Sequence, residues 1–123
     1  MQLEVTESFF IAHATPSAGG TGKRVHGHYG HVTFRISGRM DVKTGMVEPA
    51  SALQDVCHST LMDFVKDQDA NPQVIDLNAI AGIHPTMENF ILFLQERLRP
   101  KYPGINISLY WWEESEYRVS TDG

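Results

Sequence analysis

Two histidines separated by a single residue, His26-Gly27-His28, and a third that ends an earlier apolar run, His13, are the side chains here best suited to hold a metal. In an extended strand the side-chain period is two, so His26 and His28 point to the same face, a few ångströms apart. A third imidazole from a neighbouring strand would complete a three-nitrogen site with one position open. That is the usual layout of a catalytic zinc centre, whereas structural zinc sites close all four positions. His13 follows Phe9-Phe10-Ile11-Ala12 and can supply that third nitrogen. The spacing alone leaves the plainer reading open, because a strand carrying H-x-H also arises where two histidines only meet solvent or hydrogen-bond their neighbours.

Other residue types that could do chemistry read differently. Residues 14–25 form a glycine-rich stretch ending Gly22-Lys23-Arg24, which invites comparison with a phosphate-binding loop. Ser17 stands where the first glycine belongs, Arg24 where Ser or Thr belongs, and a strand pattern follows where a helix is required, so that reading fails. Lys23 and Arg24 are expected as solvated loop charges, or as contacts to an anionic substrate. Cys57 lies on the apolar stripe of a helix pattern and reads as a small core residue rather than a nucleophile. Glu113, by contrast, is a carboxylate at the end of an alternating apolar strand, and it mirrors the position of the histidine pair.

The elements that must position these groups are legible from periodicity. Residues 3–13 alternate with Leu3, Val5, Phe9, Ile11 and His13 on one parity, and the apolar Phe10 on the other parity raises the expectation of a bulge. In residues 26–37, His26, His28, Val32, Phe34 and Ile36 share one face, with Tyr29, His31, Thr33 and Arg35 opposite. The candidate ligands thus sit at one end of an apolar face. Gly38 breaks that strand, Asp41 to Gly45 reads as a turn, and Met46-Val47 as the start of a short return strand. Leu53, Val56, Cys57, Leu61, Phe64 and Val65 recur at helical spacing over residues 50–65. Residues 67–73 read as a polar loop, and Val74 to Leu77 as a short extended piece. Thr86 is a good N-cap for a helix to about Arg99, and it places Glu88 in the first turn, where the helix dipole favours a carboxylate. Ile105, Ile107, Leu109, Trp111 and Glu113 then alternate with Asn106, Ser108, Tyr110 and Trp112, and Tyr117 to Val119 forms a last extended piece. Strand, strand, helix, helix, strand, strand predicts an α+β domain, 1–123, with two helices on one face of a small antiparallel four-stranded sheet.

Composition narrows the class. A chain of 123 residues with a net charge of −5 fits one domain and argues against nucleic acid or an anionic membrane surface as the main partner. There is no apolar run of membrane-spanning length and no signal-peptide pattern. The single cysteine excludes an internal disulfide and fits a cytoplasmic protein.

Taken in order, Phe9-Phe10-Ile11-Ala12-His13, His26-Gly27-His28, Gly45-Met46-Val47, Pro85-Thr86-Met87-Glu88-Asn89 and the late Glu113 resemble the 6-pyruvoyl-tetrahydropterin synthase and 6-carboxy-tetrahydropterin synthase family. That family's pattern reads F-x-A-x-H, C-x-x-x-H-G-H, G-M-V-x-D-F, L-D-H, P-T-x-E-N and V-x-V-x-E. The resemblance implies a T-fold whose subunits join edge to edge into barrels, most simply a homohexamer. It implies Zn2+ held by His13, His26 and His28, and a pterin whose N–H edge is gripped by Glu113, with Thr86 as a further pterin contact. The implied activity is that of a carbon–oxygen lyase acting on 7,8-dihydroneopterin triphosphate.

The chain departs from the pattern where protons are moved. Gly22 stands in place of the nucleophilic cysteine. Met62-Asp63-Phe64 is the best match to L-D-H, keeping Asp63 as a catalytic carboxylate and losing the histidine to Phe64. A rival match through Leu77-Asn78 would put Gln73 and Val74 there. The D-F of the third motif is Pro49-Ala50. Recognition of metal and pterin is therefore expected to be intact and turnover to be altered or reduced, with Asp63 or an unmatched group such as Lys23, His84 or Glu88 taking over. The alternatives are a catalytically silent homologue that binds a pterin or purine for regulation or assembly, and a metal-free relative in which the histidines only hydrogen-bond.

Overall fold

A computed structural model describes residues 1–14 and 26–121 of the chain. The glycine-rich stretch that holds Gly22, Lys23 and Arg24 lies outside the described residues. The elements run β1 (Gln2–His13), β2 (His26–Ser37), α1 (Ala50–Met62), β3 (Val74–Asp76), α2 (Met87–Leu98), β4 (Asn106–Trp112) and β5 (Glu116–Ser120). They build one sheet in the order β3-β1-β2-β4-β5. Odd-numbered residues of β1, even-numbered residues of β2 and odd-numbered residues of β4 meet both helices in one apolar core that includes Ile11, Phe34, Leu53, Phe90, Leu94 and Leu109. Both helices therefore lie on one face, as the alternation predicts.

Four expectations need correction. The sheet has five strands and is mixed, because Val74–Asp76 pairs in parallel with Phe10–Ala12. A three-residue edge strand carries too little alternation to declare its partner in advance. No return strand forms at Met46-Val47. The Asp41 N–H instead donates to the Met46 carbonyl at 2.8 Å, and Gly45 adopts a φ of 72° to close the turn. No bulge interrupts β1, since its pairing with β2 runs without a break from Gln2↔Ser37 to His13↔His26. Phe10 simply faces the open side of the sheet. α1 also stops three residues short of the stripe, because Val65 leaves the helix to bridge Ile75.

That unbroken register sets the site. It carries His13 opposite His26, and Ala12 opposite Gly27. On the open face the ring of Phe10 crosses directly over Gly27. A Cβ added at Gly27 would stand 2.5 Å from Phe10 Cε1 and 3.0 Å from Cδ1. The glycine between the two histidines is thus a close-approach residue, and its backbone angles need nothing special. Gly27→Ala forces the exposed Phe10 ring off its rotamer, which costs about 0.5–1.5 kcal/mol. Denaturant unfolding of Gly27→Ala checks this, and a stability within about 0.5 kcal/mol of the parent, the range of an ordinary surface change, would sink the explanation.

Candidate metal and substrate site

The C-terminal end of β1 and the N-terminal end of β2 bring His13, His26 and His28 together. One nitrogen from each of the three lies within 4.8 Å of the others, and this is the group of potential metal ligands found among the described residues. The rings meet edge to face, with centroids 4.5 Å apart for His13 and His26 and 4.9 Å for His26 and His28. His13 and His28 are each 8% exposed. The resemblance-based ligand set is therefore assembled by two adjacent strands alone.

His13 is the best defined of the three. Its Nδ1 lies 2.9 Å from the carbonyl of Pro85, which requires a proton on Nδ1 and leaves the lone pair on Nε2. That Nε2 is buried and has no hydrogen-bond partner. A buried polar atom without a partner costs free energy, and here it faces two further imidazoles. A backbone carbonyl that fixes the tautomer of a histidine while its other nitrogen faces outward is the usual support of a metal ligand. The residues present therefore fit a zinc ion, which His13, His26 and His28 would hold through one nitrogen each. Burial pushes the pKa of His28 down, and the neighbouring His13 and His26 lower it further, against the raising effect of Glu113. A neutral imidazole is the form that binds a metal.

Two features that sequence reasoning left unassigned hold this corner. Asn78, in the 3-10 turn Leu77–Ala79 after β3, accepts from the Ala14 N–H through Oδ1 at 2.7 Å. Its Nδ2 donates back to the Ala14 carbonyl at 3.2 Å. It thereby pins the backbone of the residue that follows His13. Pro85 belongs to the P-T-x-E-N segment, so this segment supports the histidine cluster through a carbonyl oxygen that no side-chain pattern could have flagged. Thr86 accepts from the Asn89 N–H at 3.2 Å as the N-cap of α2, one residue beyond the carbonyl that orients His13. Glu88 lies exposed in the first turn of that helix.

Glu113 comes close to the cluster within the same chain. Its Oε1 stands 3.0 Å from His28 Nε2, while the side chain remains 44% exposed. β4 continues beside β2 up to Gly30↔Trp111, so the residue that follows the strand on the same face reaches His28. Trp111 flanks His28 with ring centroids 6.4 Å apart, and Tyr117 of β5 stacks on Trp111 at 5.4 Å with 16° between planes.

Asp63 and Phe64 are not drawn into the cluster within this chain. Asp63 caps the C-terminus of α1, is exposed, and faces Arg97 at 3.6 Å. The Phe64 ring packs against Phe93 at 5.3 Å and Phe90 at 6.4 Å, with the Arg97 guanidinium 5.3 Å from its centroid. Cys57 is fully buried. Burial, reinforced by the charge of Glu7, pushes its thiol up to about 12, which keeps it from acting as a nucleophile. Glu7, which the strand pattern does not single out, sits at a core-facing position with one oxygen buried and unpaired and the other 3.5 Å from His58 Nδ1.

The family model described as 6-pyruvoyl tetrahydropterin synthase matches residues 2–122. Among solved structures, the 6-pyruvoyl tetrahydropterin synthase of Caenorhabditis elegans superposes with a TM-score of 0.76 at 18% identity, covering 99% of this chain and 96% of its own. A Plasmodium vivax 6-pyruvoyltetrahydropterin synthase, in a form with a catalytic glutamate replaced by cysteine, gives 0.61 at 17% identity, with 100% and 98% covered. An uncharacterized protein from Wolinella succinogenes gives 0.64 at 18% identity, with 99% and 98% covered. At such identities these likenesses establish the shared T-fold and nothing finer. None of the curated protein sequences matches significantly. The match of the family model over nearly the whole chain, together with the assembled histidines, identifies the chain as a member of the 6-pyruvoyl tetrahydropterin synthase family.

Proposed function

We propose that the protein binds one Zn2+ through His13, His26 and His28 and a reduced pterin through Glu113, and that it descends from lyases acting on 7,8-dihydroneopterin triphosphate with altered or reduced turnover. The observation that carries the metal reading is the buried, partnerless Nε2 of His13, held in that tautomer by the Pro85 carbonyl and facing two imidazoles. When bound, the ion would supply a Lewis acid that polarises the oxygens of a substrate side chain. The chain's own residues would do the rest. Glu113 would accept two parallel N–H bonds from the heterocycle, which gives orientation as well as affinity. In this structure its carboxylate is on His28 Nε2, so gripping a pterin requires it to turn outward, and its exposed position at the end of β4 leaves room for that. Thr86 would contribute a pterin contact as well as its cap.

A specific observation supports the reduced-turnover half of the reading. Phe64 is engaged in an aromatic cluster with Phe90 and Phe93 and cannot pass a proton, and Gly22 has no side chain to do so. A positioned acid–base group typically contributes about 10²–10⁴-fold in rate. Asp63 is the proposed remaining catalytic carboxylate. Within one chain it is occupied by Arg97, so it would have to serve a site completed by a neighbouring subunit. The second reading, a silent pterin- or purine-binding homologue, rests on the same two residues. The Plasmodium vivax relative has a catalytic glutamate, which favours a carboxylate as the remaining acid–base group here.

Assembly follows from the sheet. β3 covers only Phe10–Ala12 of β1, which leaves the rest of that edge open, and Phe10, Tyr29 and Trp112 are exposed on the face opposite the helices. Open edges and aromatic faces call for cover, so we propose a homohexamer of T-fold barrels. Among the described residues no helix is long and apolar enough to cross a membrane. The single buried cysteine is the ground for proposing the cytoplasm.

Four outcomes are expected. Purified protein should carry about one zinc per chain by elemental analysis, and His28→Ala should lose it. Full occupancy in that variant would remove the metal site. Glu113→Ala should weaken binding of 7,8-dihydroneopterin by about 2–3 kcal/mol in calorimetry, because the ligand's polar edge is left unpaired. Unchanged affinity coupled to lost turnover would instead make Glu113 a proton acceptor. Mass spectrometry of products from dihydroneopterin triphosphate should reveal slow turnover that rises strongly in Gly22→Cys/Phe64→His, and a parent already as fast as ordinary family members would overturn the altered-site reading. Light scattering should give a hexamer at micromolar concentration, and a monomer would exclude barrel closure.

A further inference from the structure

The histidine cluster does not end at His28. On the same face of the sheet the next strand carries Trp111 and the one after it Tyr117, directly paired across β4 and β5. The three imidazoles pack as a triangle with centroids 4.5, 4.9 and 5.3 Å apart, and a row of rings continues from His28 through Trp111 at 6.4 Å to Tyr117 at a further 5.4 Å. Trp111 occupies the position at which the V-x-V-x-E pattern has a small β-branched residue. Tyr117 covers one face of Trp111 nearly in parallel, at 16°, and is itself 45% exposed. Glu113 stands beside this row, two residues beyond Trp111 on the same face, with its carboxylate against His28.

We infer that Trp111 and Tyr117 form a stacking shelf that takes the flat heterocycle of the substrate. The inference rests on the pterin reading and adds two residues to it. A ligand whose oxygen-bearing side chain reaches the three histidines extends its ring away from them, and the row of rings runs outward in that direction. An exposed aromatic already held flat by a partner loses little freedom when a ring settles on it. Stacking on an aromatic face is sequence-tolerant and accepts any planar heterocycle, while the carboxylate of Glu113 at the rim selects one with an N–H donor edge. The class of ligand is thus a planar, N–H-bearing bicyclic heterocycle with an oxygenated substituent. In a chain with a β-branched residue in place of Trp111 this platform would be missing.

Calorimetric titration of the zinc-loaded protein with 7,8-dihydroneopterin tests the shelf, with parallel measurements of zinc content and particle mass. Tyr117→Ser should bind roughly tenfold or more weakly, the loss expected when one stacking partner is removed, with zinc content and mass unchanged. Tyr117→Phe should bind as the parent does, because the ring is kept and only the hydroxyl removed. Parent-like binding by Tyr117→Ser while Glu113→Ala fails would overturn the shelf and leave the pterin reading standing. No binding by the zinc-loaded parent would overturn both. A change of particle mass in Tyr117→Ser with unaltered affinity would assign the pair to contact with a second copy of the chain, and would equally overturn the shelf.

Discussion

A single hydrogen bond, from His13 Nδ1 to the Pro85 carbonyl, governs how the rest of the proposed site can work. It joins the end of the first strand to the segment that starts the second helix, 72 residues away. By fixing the proton on Nδ1 it leaves Nε2 as a buried acceptor with no donor in reach. Buried polar atoms in folded proteins nearly always find partners. Here the position without a partner is the one that the proposed cation would fill between three imidazoles. The bond also explains why a helix N-terminus sits where it does. Thr86 satisfies the first turn of α2 through Asn89, which frees the preceding carbonyl to face His13.

The scaffold around that bond is a chain of close approaches. An uninterrupted register aligns His13 with His26, and any slip by one residue would turn every imidazole of one strand to the opposite face. Phe10 lies across Gly27, in space that a side chain between the two ligands would fill. Asn78 grips both backbone groups of Ala14 and fixes the course of the chain as it leaves β1. The short parallel strand β3 brings that asparagine into place, which gives a function to an element of only three residues.

Several residues with reactive side chains serve packing instead. Cys57 is buried under the sheet and its thiol is held protonated by its surroundings. Phe64 fills an aromatic pocket beneath Arg97, which accounts physically for an apolar ring at this position. Within one chain Glu113 is the carboxylate that meets the histidine cluster among the described residues, and Asp63 stays with Arg97.

Much of this was legible in the chain itself. Period-two alternation in residues 3–13, 26–37 and 105–113 sets which side chains share the buried face, because a strand cannot direct neighbours to the same side. His13, His26, His28 and Glu113 follow from that parity, as does the apolar character of Cys57 from helical spacing. Local chemistry was equally sufficient for the Thr86 cap. What the sequence could not determine is everything that depends on which strands become neighbours. The parallel pairing of Val74–Asp76, the reach of Asn78 to Ala14 and the meeting of Pro85 with His13 all join residues far apart in the chain through backbone groups. Backbone donors and acceptors are the same at every position, so no pattern of side chains announces their partners, and only the packed tertiary structure selects them.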